Sequence, residues 1–451
     1  MSKPKIAILG GGESGAGAAL LAQAKGFEVF LSDKGLLQDK YKQILTDHHI
    51  PFEEGQHTES LILDAVEVVK SPGIPDKAEL VKKLHAQGTP VISELELAAR
   101  YTKAKLIGIT GSNGKTTTTL LTYHLLKSAG LNVGLAGNIG DSFAKQVIDD
   151  THDYYVLEIS SFQLDSLYQT RLNISVLLNI TPDHLDRYEY LFQNYVNSKF
   201  RILQNMTAND DFIYWQESEA VAEESKTRNI LPHRLPVSIH QALSEGAFLK
   251  DGVLRACSHG HTFEISQDEM PIKGTHNALN AMCAVLVAQS VGLTNEQMRS
   301  GLLSFKNAAH RVELVAEING IKFVNDSKAT NVDSVYYALG SFNEPLILIM
   351  GGVDKGNDYS QIDKLVQEKV KVLICLGKDN HKLIDFFGGK VPTIIETQDI
   401  QEAVQWGLQL GNSGDVVLLS PACASFDLFR NYEDRGNQFK AAVVTLQQTN
   451  Q

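Results

Sequence analysis

The segment Gly108-Ile-Thr-Gly-Ser-Asn-Gly-Lys-Thr-Thr117 constrains this chain more than any other. It follows the apolar run Lys105-Leu-Ile-Gly-Ile109, which reads as a buried strand. It precedes Thr118 to Ala129, where Leu120, Leu121, Tyr123, Leu125 and Leu126 recur at mixed three- and four-residue spacings and predict a helix. A strand, a glycine loop, a Lys-Thr pair and a helix, in that order, bind a nucleotide phosphate. Backbone N–H groups line such a loop and the helix N-terminus favours negative charge, while Lys115 can reach the β/γ-phosphates and Thr116 can hold Mg²⁺. The strict G-x-x-x-x-G-K-[ST] spacing fails, because Ile109 stands where the first glycine should. The loop is a variant. The alternative, a Gly-rich turn with an incidental lysine, fits poorly with the strand and helix on either side. The expected ligand is ATP or a close relative.

A second glycine loop lies near the N-terminus. Lys5-Ile-Ala-Ile-Leu9 reads as a strand, Gly10, Gly12 and Gly15 match G-x-G-x-x-G, and an Ala/Leu-rich helix is predicted from Gly17 to about Lys25. The next strand, Glu28-Val-Phe-Leu-Ser-Asp33, ends on an acid at the distance of a ribose-binding carboxylate. Alone, this is an NAD-type fingerprint. The same geometry suits any ribonucleotide diphosphate, and a tight turn with close helix–strand packing is the structural alternative. Strands at Val66–Lys70 and Pro90–Ser93 continue the alternation, and a short helix from Glu94 to Arg100 leads to a boundary near residue 103.

At 451 residues and about 150 residues per domain, three domains are expected. A hydrophobic content of 43% with 21% charged residues suits a soluble globular chain, and the formal charge of −12 argues against nucleic-acid or anionic-membrane partners. The four cysteines show no zinc or CxxC spacing, and no apolar run reaches the eighteen or so residues that span a bilayer. A soluble, cytoplasmic, monomeric protein is expected.

In the middle third, the apolar run after Asp153 ends on Glu158, where an acid would meet Mg²⁺ opposite the phosphate loop; a solvated edge carboxylate is the alternative. A strand over Ile174–Ile180 leads to His184, a metal or substrate ligand if it sits at that strand's end and otherwise a structural hydrogen-bonder. Asn194 to Leu203 reads as a helix carrying Lys199, to which spacing gives no special status. Residues 205 to 270 read as short strands and loops. His276, Asn277 and Asn280 then begin a long Ala-rich helix, with helix capping as the plain role for Asn277. Beyond a linker at Phe305–Arg311, strands at Lys322–Asp326, Pro345–Gly352, Val370–Gly377, Thr393–Glu396 and Asp415–Pro421 alternate with helical stretches. Polar groups gather after these strands, at Asp326–Asn331, at Asp354 and Lys355, and from Ser425 to Asn431.

Together these motifs resemble the Mur ligase family, ATP-dependent amide-bond ligases of cell-wall precursor synthesis. The resemblance rests on Thr110–Thr117, Gly137-Asn-Ile-Gly140, Glu158 with Ser160-Ser-Phe-Gln-Leu164, Asp183–Arg187, His276–Asn280, His310-Arg311, Asn325–Asn331 and Ser420–Asp427. It spans the chain and implies an α/β protein of three domains. These are a Rossmann-like UDP-substrate domain over 1–103, a P-loop ATPase domain over 104–308, and a Rossmann-like domain for amino acid and ATP over 309–451. The run from Ser420 through Asn431 to Arg435-Gly436, with Ser160-Ser-Phe-Gln163, is similar to the members that add D-glutamate to UDP-N-acetylmuramoyl-L-alanine, and the DNPR-type motif of the diamino-acid-adding members is absent.

The resemblance implies that Gly10–Gly15 and Asp33 hold UDP and not NAD. It implies ATP contacts at Gly111, Ser112, Asn113, Gly114, Lys115, Thr116, Thr117, Asn277, Asn280, Arg311, Asp326 and Lys328. For the UDP substrate it implies Ser14, Gly15, Asp33, Asn138, Ser160 and Gln163, and for D-glutamate Thr330, Lys355, Ser425 and Tyr432. Tyr432 departs from the phenylalanine expected there. Lys115, His184 and Lys199 become the catalytic set. Thr116 and Glu158 are implied to bind one Mg²⁺, with His184 and a carbamylated Lys199 serving a second. Two competing readings remain. A folylpolyglutamate synthase would begin directly with the ATPase domain, and an NAD-binding sensor would bind NAD but not UDP.

Overall fold

The computed structural model describes residues 3–449. Its N-terminal sheet contains β1 (Lys5–Leu9), β2 (Glu28–Asp33), β3 (Phe52–Glu54), β4 (Glu67–Lys70) and β5 (Val91–Ile92), all parallel in the order β3-β2-β1-β4-β5. Both faces of such a sheet are covered by crossover helices, so its central strands are apolar runs and not alternating ones. The first crossover helix spans Glu13–Ala24. It begins earlier than the expected Gly17, because Gly12 is already extended and the chain turns helical directly behind the glycine loop.

The central sheet is built from β6 (Lys105–Thr110), β7 (Val133–Gly137), β8 (Tyr154–Glu158), β9 (Ile174–Leu177), β10 (Asp211–Trp215), β11 (His233–Ser238), β12 (Gly246–Lys250), β13 (Val253–Ser258) and β14 (His261–Ser266). Their order is β14-β13-β12-β11-β10-β9-β6-β8-β7. Pairing is parallel from β7 to β12 and antiparallel through the two hairpins that end the sheet. Three expectations need correction. The helix after the phosphate loop starts at Lys115 and ends at Ser128. The strand expected to run to Ile180 stops at Leu177, because Asn179 bends out to bond the loop. The stretch 205–270 contains the helix Glu219–Thr227, whose run of charged residues hid it from an apolar-periodicity reading.

The C-terminal sheet contains β15 (Glu313–Ile318), β16 (Ile321–Asn325), β17 (Leu346–Gly351), β18 (Val370–Leu376), β19 (Thr393–Thr397) and β20 (Val416–Ala422), in the order β15-β16-β20-β17-β18-β19. All pairs are parallel except β15 with β16. β15 has no counterpart among the strands expected from the sequence. It is a half-exposed edge strand without the continuous apolar run of its neighbours.

The chain divides into two compact units, Met1–Pro271 with Leu279–Phe305, and Ile272–Ala278 with Lys306–Gln451. Buried carboxylates explain why the first two sheets share a unit. Glu94 Oε1 accepts from Ser142 Oγ at 2.6 Å and from the Ala144 N–H at 2.7 Å, and burial raises its pKa. Glu96 accepts from the backbone N–H groups of Tyr168, Gln169 and Thr170 and from the Thr170 hydroxyl. A buried carboxylate this well satisfied ties segments more than seventy residues apart, since removing its partners would leave a charge in the core. Among the described residues, no helix is long and apolar enough to cross a membrane.

Candidate active site

The phosphate loop leaves the C-terminal end of β6 and is held from β9's side. Ser112 N–H donates to the Asn179 carbonyl at 2.9 Å, Asn113 N–H to Asn179 Oδ1 at 2.8 Å, and Asn179 Nδ2 returns to the Asn113 carbonyl at 3.2 Å. Ser112 Oγ donates to the Thr181 carbonyl at 2.9 Å and lies 3.1 Å from the Tyr195 hydroxyl. Along the sequence Asn179 falls within the strand expected over Ile174–Ile180. Its amide at the end of an apolar run was the available signal. Gly114 caps the helix Lys115–Ser128 at φ 83°, and a Cβ there would lie 2.7 Å from Asn280 Oδ1. Only glycine fits. Asn280 thus reaches the loop, and it also accepts from Thr118 Oγ1 at 3.1 Å. Lys115 Nζ bends back to donate to the carbonyls of Gly111 and Ser112 at 2.8 and 2.7 Å. Thr116 is half-buried and Thr117 buried in the first helical turn.

Lys199 enters the same loop from below. It lies on the helix Phe192–Phe200, is 1% exposed, and donates to Thr110 Oγ1 at 3.1 Å and the Gly111 carbonyl at 2.9 Å. Burial drives its pKa well below the ordinary lysine value, and neighbouring Lys115 pushes the same way. Asp183, Glu158 and Asp165 pull in the opposite direction without offsetting that. Burial thus favours the uncharged amine over the ammonium at this position. Spacing could not reveal this, because the desolvation comes from residues distant in sequence.

Glu158, the last residue of β8, is likewise 1% exposed. This removes the solvated-edge reading. Its Oε1 accepts from Asn138 Nδ2 at 2.7 Å, while its Oε2 is buried without a hydrogen-bond partner. A buried, half-satisfied carboxylate is costly unless something cationic completes it, and a divalent ion with oxygen ligands does so. These residues therefore fit a magnesium ion.

His184 lies beyond the strand end, in a left-handed conformation at φ 52° that precedes a short 3₁₀ turn, Leu185–Arg187. Its ring meets Phe162 edge-on at 5.1 Å, and its Nε2 is 3.6 Å from Asp183 Oδ2. With its side chain 45% exposed, it is placed to meet a ligand from solvent. Ser160 and Gln163 form a capping box with each other at the start of the helix Ser161–Leu164.

In the N-terminal sheet, Gly15 packs so closely that a Cβ would lie 1.9 Å from the Gly10 carbonyl oxygen. Asp33, at the end of β2, accepts from Gly11 N–H at 2.6 Å and Gly35 N–H at 2.7 Å. Ser14 is half-buried in the first turn of the helix behind the loop.

The second unit brings its own polar set together. Asp326 is buried and accepts from Ser420 Oγ at 2.9 Å and Val312 N–H at 3.2 Å; burial lifts its pKa to about 7, with Arg311 opposing. Lys328 Nζ sits 3.6 Å from the centre of the Tyr432 ring, so the tyrosine supplies the cation-binding face a phenylalanine would. Arg435, 1% exposed, fixes this corner by donating to Ser327 Oγ at 2.9 Å and its carbonyl at 2.8 Å. Thr330 is half-buried, Ser425 buried and Lys355 exposed, each in the loops after β16, β20 and β17. Asn277 does not cap its helix, which begins at Thr275; its Nδ2 donates to the Lys273 carbonyl at 2.8 Å. His276 is held neutral by burial, its pKa lowered to about 4 with help from Arg311.

Three family models match in turn: the MurD N-terminal domain over residues 5–80, the Mur ligase middle domain over 109–288, and the Mur ligase, glutamate ligase domain over 310–423. The chain is 52% identical over 443 residues to the UDP-N-acetylmuramoylalanine–D-glutamate ligase of Bacteroides thetaiotaomicron, covering 98% of this chain and 100% of that one. It belongs to the Mur ligase family. The ligase of the same name from Christiangramia forsetii is 49% identical, with 98% and 99% covered. Among solved Mur-type folds, a pseudomurein peptide ligase type C from Methanothermus fervidus superposes with a TM-score of 0.63 at 19% identity, over 98% of this chain and 100% of the other. The MurF ligase of Thermotoga maritima in complex with ADP gives 0.61 at 14% identity, over 94% and 97%. These two share the fold, with its three α/β sheets.

Proposed function

We propose that this chain joins D-glutamate to the L-alanyl carboxylate of UDP-N-acetylmuramoyl-L-alanine, with cleavage of ATP to ADP and phosphate, as a step in peptidoglycan precursor synthesis. The observation that carries this reading is the phosphate loop itself. One lysine folded back onto the loop carbonyls, one buried lysine with a lowered pKa and one half-satisfied buried glutamate gather at this loop, in a chain whose relatives bear that ligase name.

In this reading the carboxylate oxygen of the substrate attacks the γ-phosphorus and ADP leaves, giving an acyl phosphate. The amine of D-glutamate then adds to the acyl carbon, and phosphate departs as the amide forms. Such chemistry demands positioning and charge neutralisation more than covalent help. Lys115 exchanges its two loop carbonyls for phosphate oxygens, and the loop N–H groups with the helix N-terminus receive the rest of that charge. Lys199, its pKa lowered by burial, supplies in its deprotonated form the nitrogen lone pair that attacks CO₂; one N–C bond forms, one proton leaves, and a carbamate anion replaces the amine. Magnesium would offset phosphate charge, with Thr116 and Glu158 holding one ion and His184 and the Lys199 carbamate a second. Asn138 orients Glu158 through Oε1. Gly10–Gly15, Ser14 and Asp33 take the UDP, with Ser160 and Gln163 near the muramoyl end. Asn277, Asn280, Arg311, Asp326 and Lys328 contact ATP, and Thr330, Lys355, Ser425 and Tyr432 contact D-glutamate.

The test is phosphate release across a panel of amino acids. Release should require both UDP-N-acetylmuramoyl-L-alanine and D-glutamate. Equal turnover with L-glutamate or a diamino acid would sink the specificity.

A further inference from the structure

The phosphate loop follows the C-terminal end of β6. At the opposite end of the strands of the same sheet a second cluster of ligating groups has no part in that chemistry. Asp211 and His233 are the first residues of β10 and β11 and pair in register. His259, with Gly260, makes the two-residue turn between β13 and β14, at φ 51° and 78°. That geometry favours Asn-Gly; a histidine at its first position is unusual and asks for a reason in what the ring does.

The ring meets Asp211. His259 Nε2 lies 2.9 Å from Asp211 Oδ2, and His233 Nδ1 lies 3.1 Å from Asp211 Oδ1. One atom from each of the three residues falls within 4.8 Å of the others, and the two ring centres are 5.3 Å apart. The Asp211 side chain is 11% exposed, while those of His233 and His259 are 34% and 41% exposed, so the cluster has a closed floor and an open mouth. A second observation points to a cation. His233 Nε2 stands 3.1 Å from Glu245 Oε1. An imidazole that gives its Nδ1 lone pair to a metal keeps its proton on Nε2, and a carboxylate waiting there fixes the tautomer and raises ligand basicity. Without a metal, His233 donates to both of the carboxylates that flank it only as an imidazolium; a metal on Nδ1 serves both with the ring neutral.

We propose that Asp211, His233 and His259 bind one zinc-class divalent cation, with Glu245 as the positioning residue for His233. Two imidazoles and one carboxylate form a ligand set that prefers Zn²⁺ to Mg²⁺, which seeks oxygen. Tetrahedral zinc places ligand atoms about 3.4 Å apart, so closure needs only small side-chain rotations, and water completes the fourth position. The cation staples the terminal hairpin β13–β14 to the starts of β10 and β11.

The full chain, stripped with a chelator, is titrated with Zn²⁺ against a chromophoric competitor in excess Mg²⁺, and with Co²⁺ for its ligand-field absorption. One equivalent should bind, with cobalt bands of four-coordinate nitrogen–oxygen ligation. His259→Asn keeps a residue suited to the turn and should lose that equivalent, as should His233→Gln. Glu245→Gln should weaken binding about tenfold or more. The proposal fails if the chain takes up no zinc in excess Mg²⁺, or if both histidine variants bind as much as the parent.

Discussion

Between β1 and the helix Glu13–Ala24, and again between β6 and the helix Lys115–Ser128, a glycine loop turns a parallel strand into a helix. In the first loop a carboxylate, Asp33, reaches across from the neighbouring strand to accept a loop N–H, and a glycine packs tightly against the loop's own carbonyl. In the second, two amines converge: Lys115 from the helix and Lys199 from a helix far along the chain. The backbone motif is shared, and the imported charge differs. A loop with a carboxylate anchor suits a diphosphate whose ribose hydroxyls need an acceptor. One with two lysines and a half-satisfied glutamate suits a phosphate that must be transferred.

Separating these roles experimentally gives a graded set of outcomes. Lys115→Ala should have the largest effect, lowering kcat by about 10³-fold. UDP-substrate affinity, measured by calorimetry, should stay within about twofold; a parallel loss of UDP binding would mean the loops do not act separately. Lys199→Ala should lower kcat by about 10²-fold, since it removes one charged group from the phosphate site. Short carboxylates should restore part of the activity to Lys199→Ala and none to Lys199→Arg. Absence of rescue would remove the carbamate from the mechanism. Gly15→Ala should reverse the pattern. Its new Cβ collides with the Gly10 carbonyl, so UDP binding should weaken about tenfold or more and stability fall by about 1–3 kcal/mol, while ADP binding is unchanged. The smallest effect belongs to Asp33→Asn. It keeps the shape and one acceptor oxygen but removes the charge from the bond to Gly11 N–H, a loss of about 1 kcal/mol, roughly a fivefold rise in KM for the UDP substrate.

A pH experiment sharpens the second unit by itself. The Asp326 carboxyl has its pKa raised to about 7 from an ordinary 3.8, so the folded state holds that proton more tightly than the unfolded one. Its contribution is therefore fully present below about pH 4 and is lost as pH rises through about 7. Asp326→Asn should flatten that part of the stability-against-pH curve, followed by denaturant midpoints. An unchanged slope would show that Asp326 titrates normally.

Much of this was legible along the chain. Apolar runs between glycine turns disclosed most of the strands, because strands buried on both faces in a parallel sheet cannot hide as alternating ones. The edge strand β15 and the charged helix Glu219–Thr227 escaped, since neither buries enough apolar surface to leave a periodic mark. In the candidate site, the glycine loop and Lys115 stood out through local spacing. Lys199 did not, and only the family resemblance singled it out. The bracing of the loop by Asn179 and of the second unit's corner by Arg435 left even fainter traces.

The sequence by itself determined the order of strand, loop and helix, the glycines those turns require, and the family to which the chain belongs. These are local properties of backbone sterics and short-range periodicity. Tertiary structure decided the rest: that burial lowers the Lys199 pKa, that one oxygen of Glu158 is buried without a hydrogen-bond partner, and that Asp211 meets two histidines at the far end of the strands. Each depends on desolvation or on contacts between residues tens of positions apart. Low dielectric and close approach come only from packing, and they fix the charge a side chain carries.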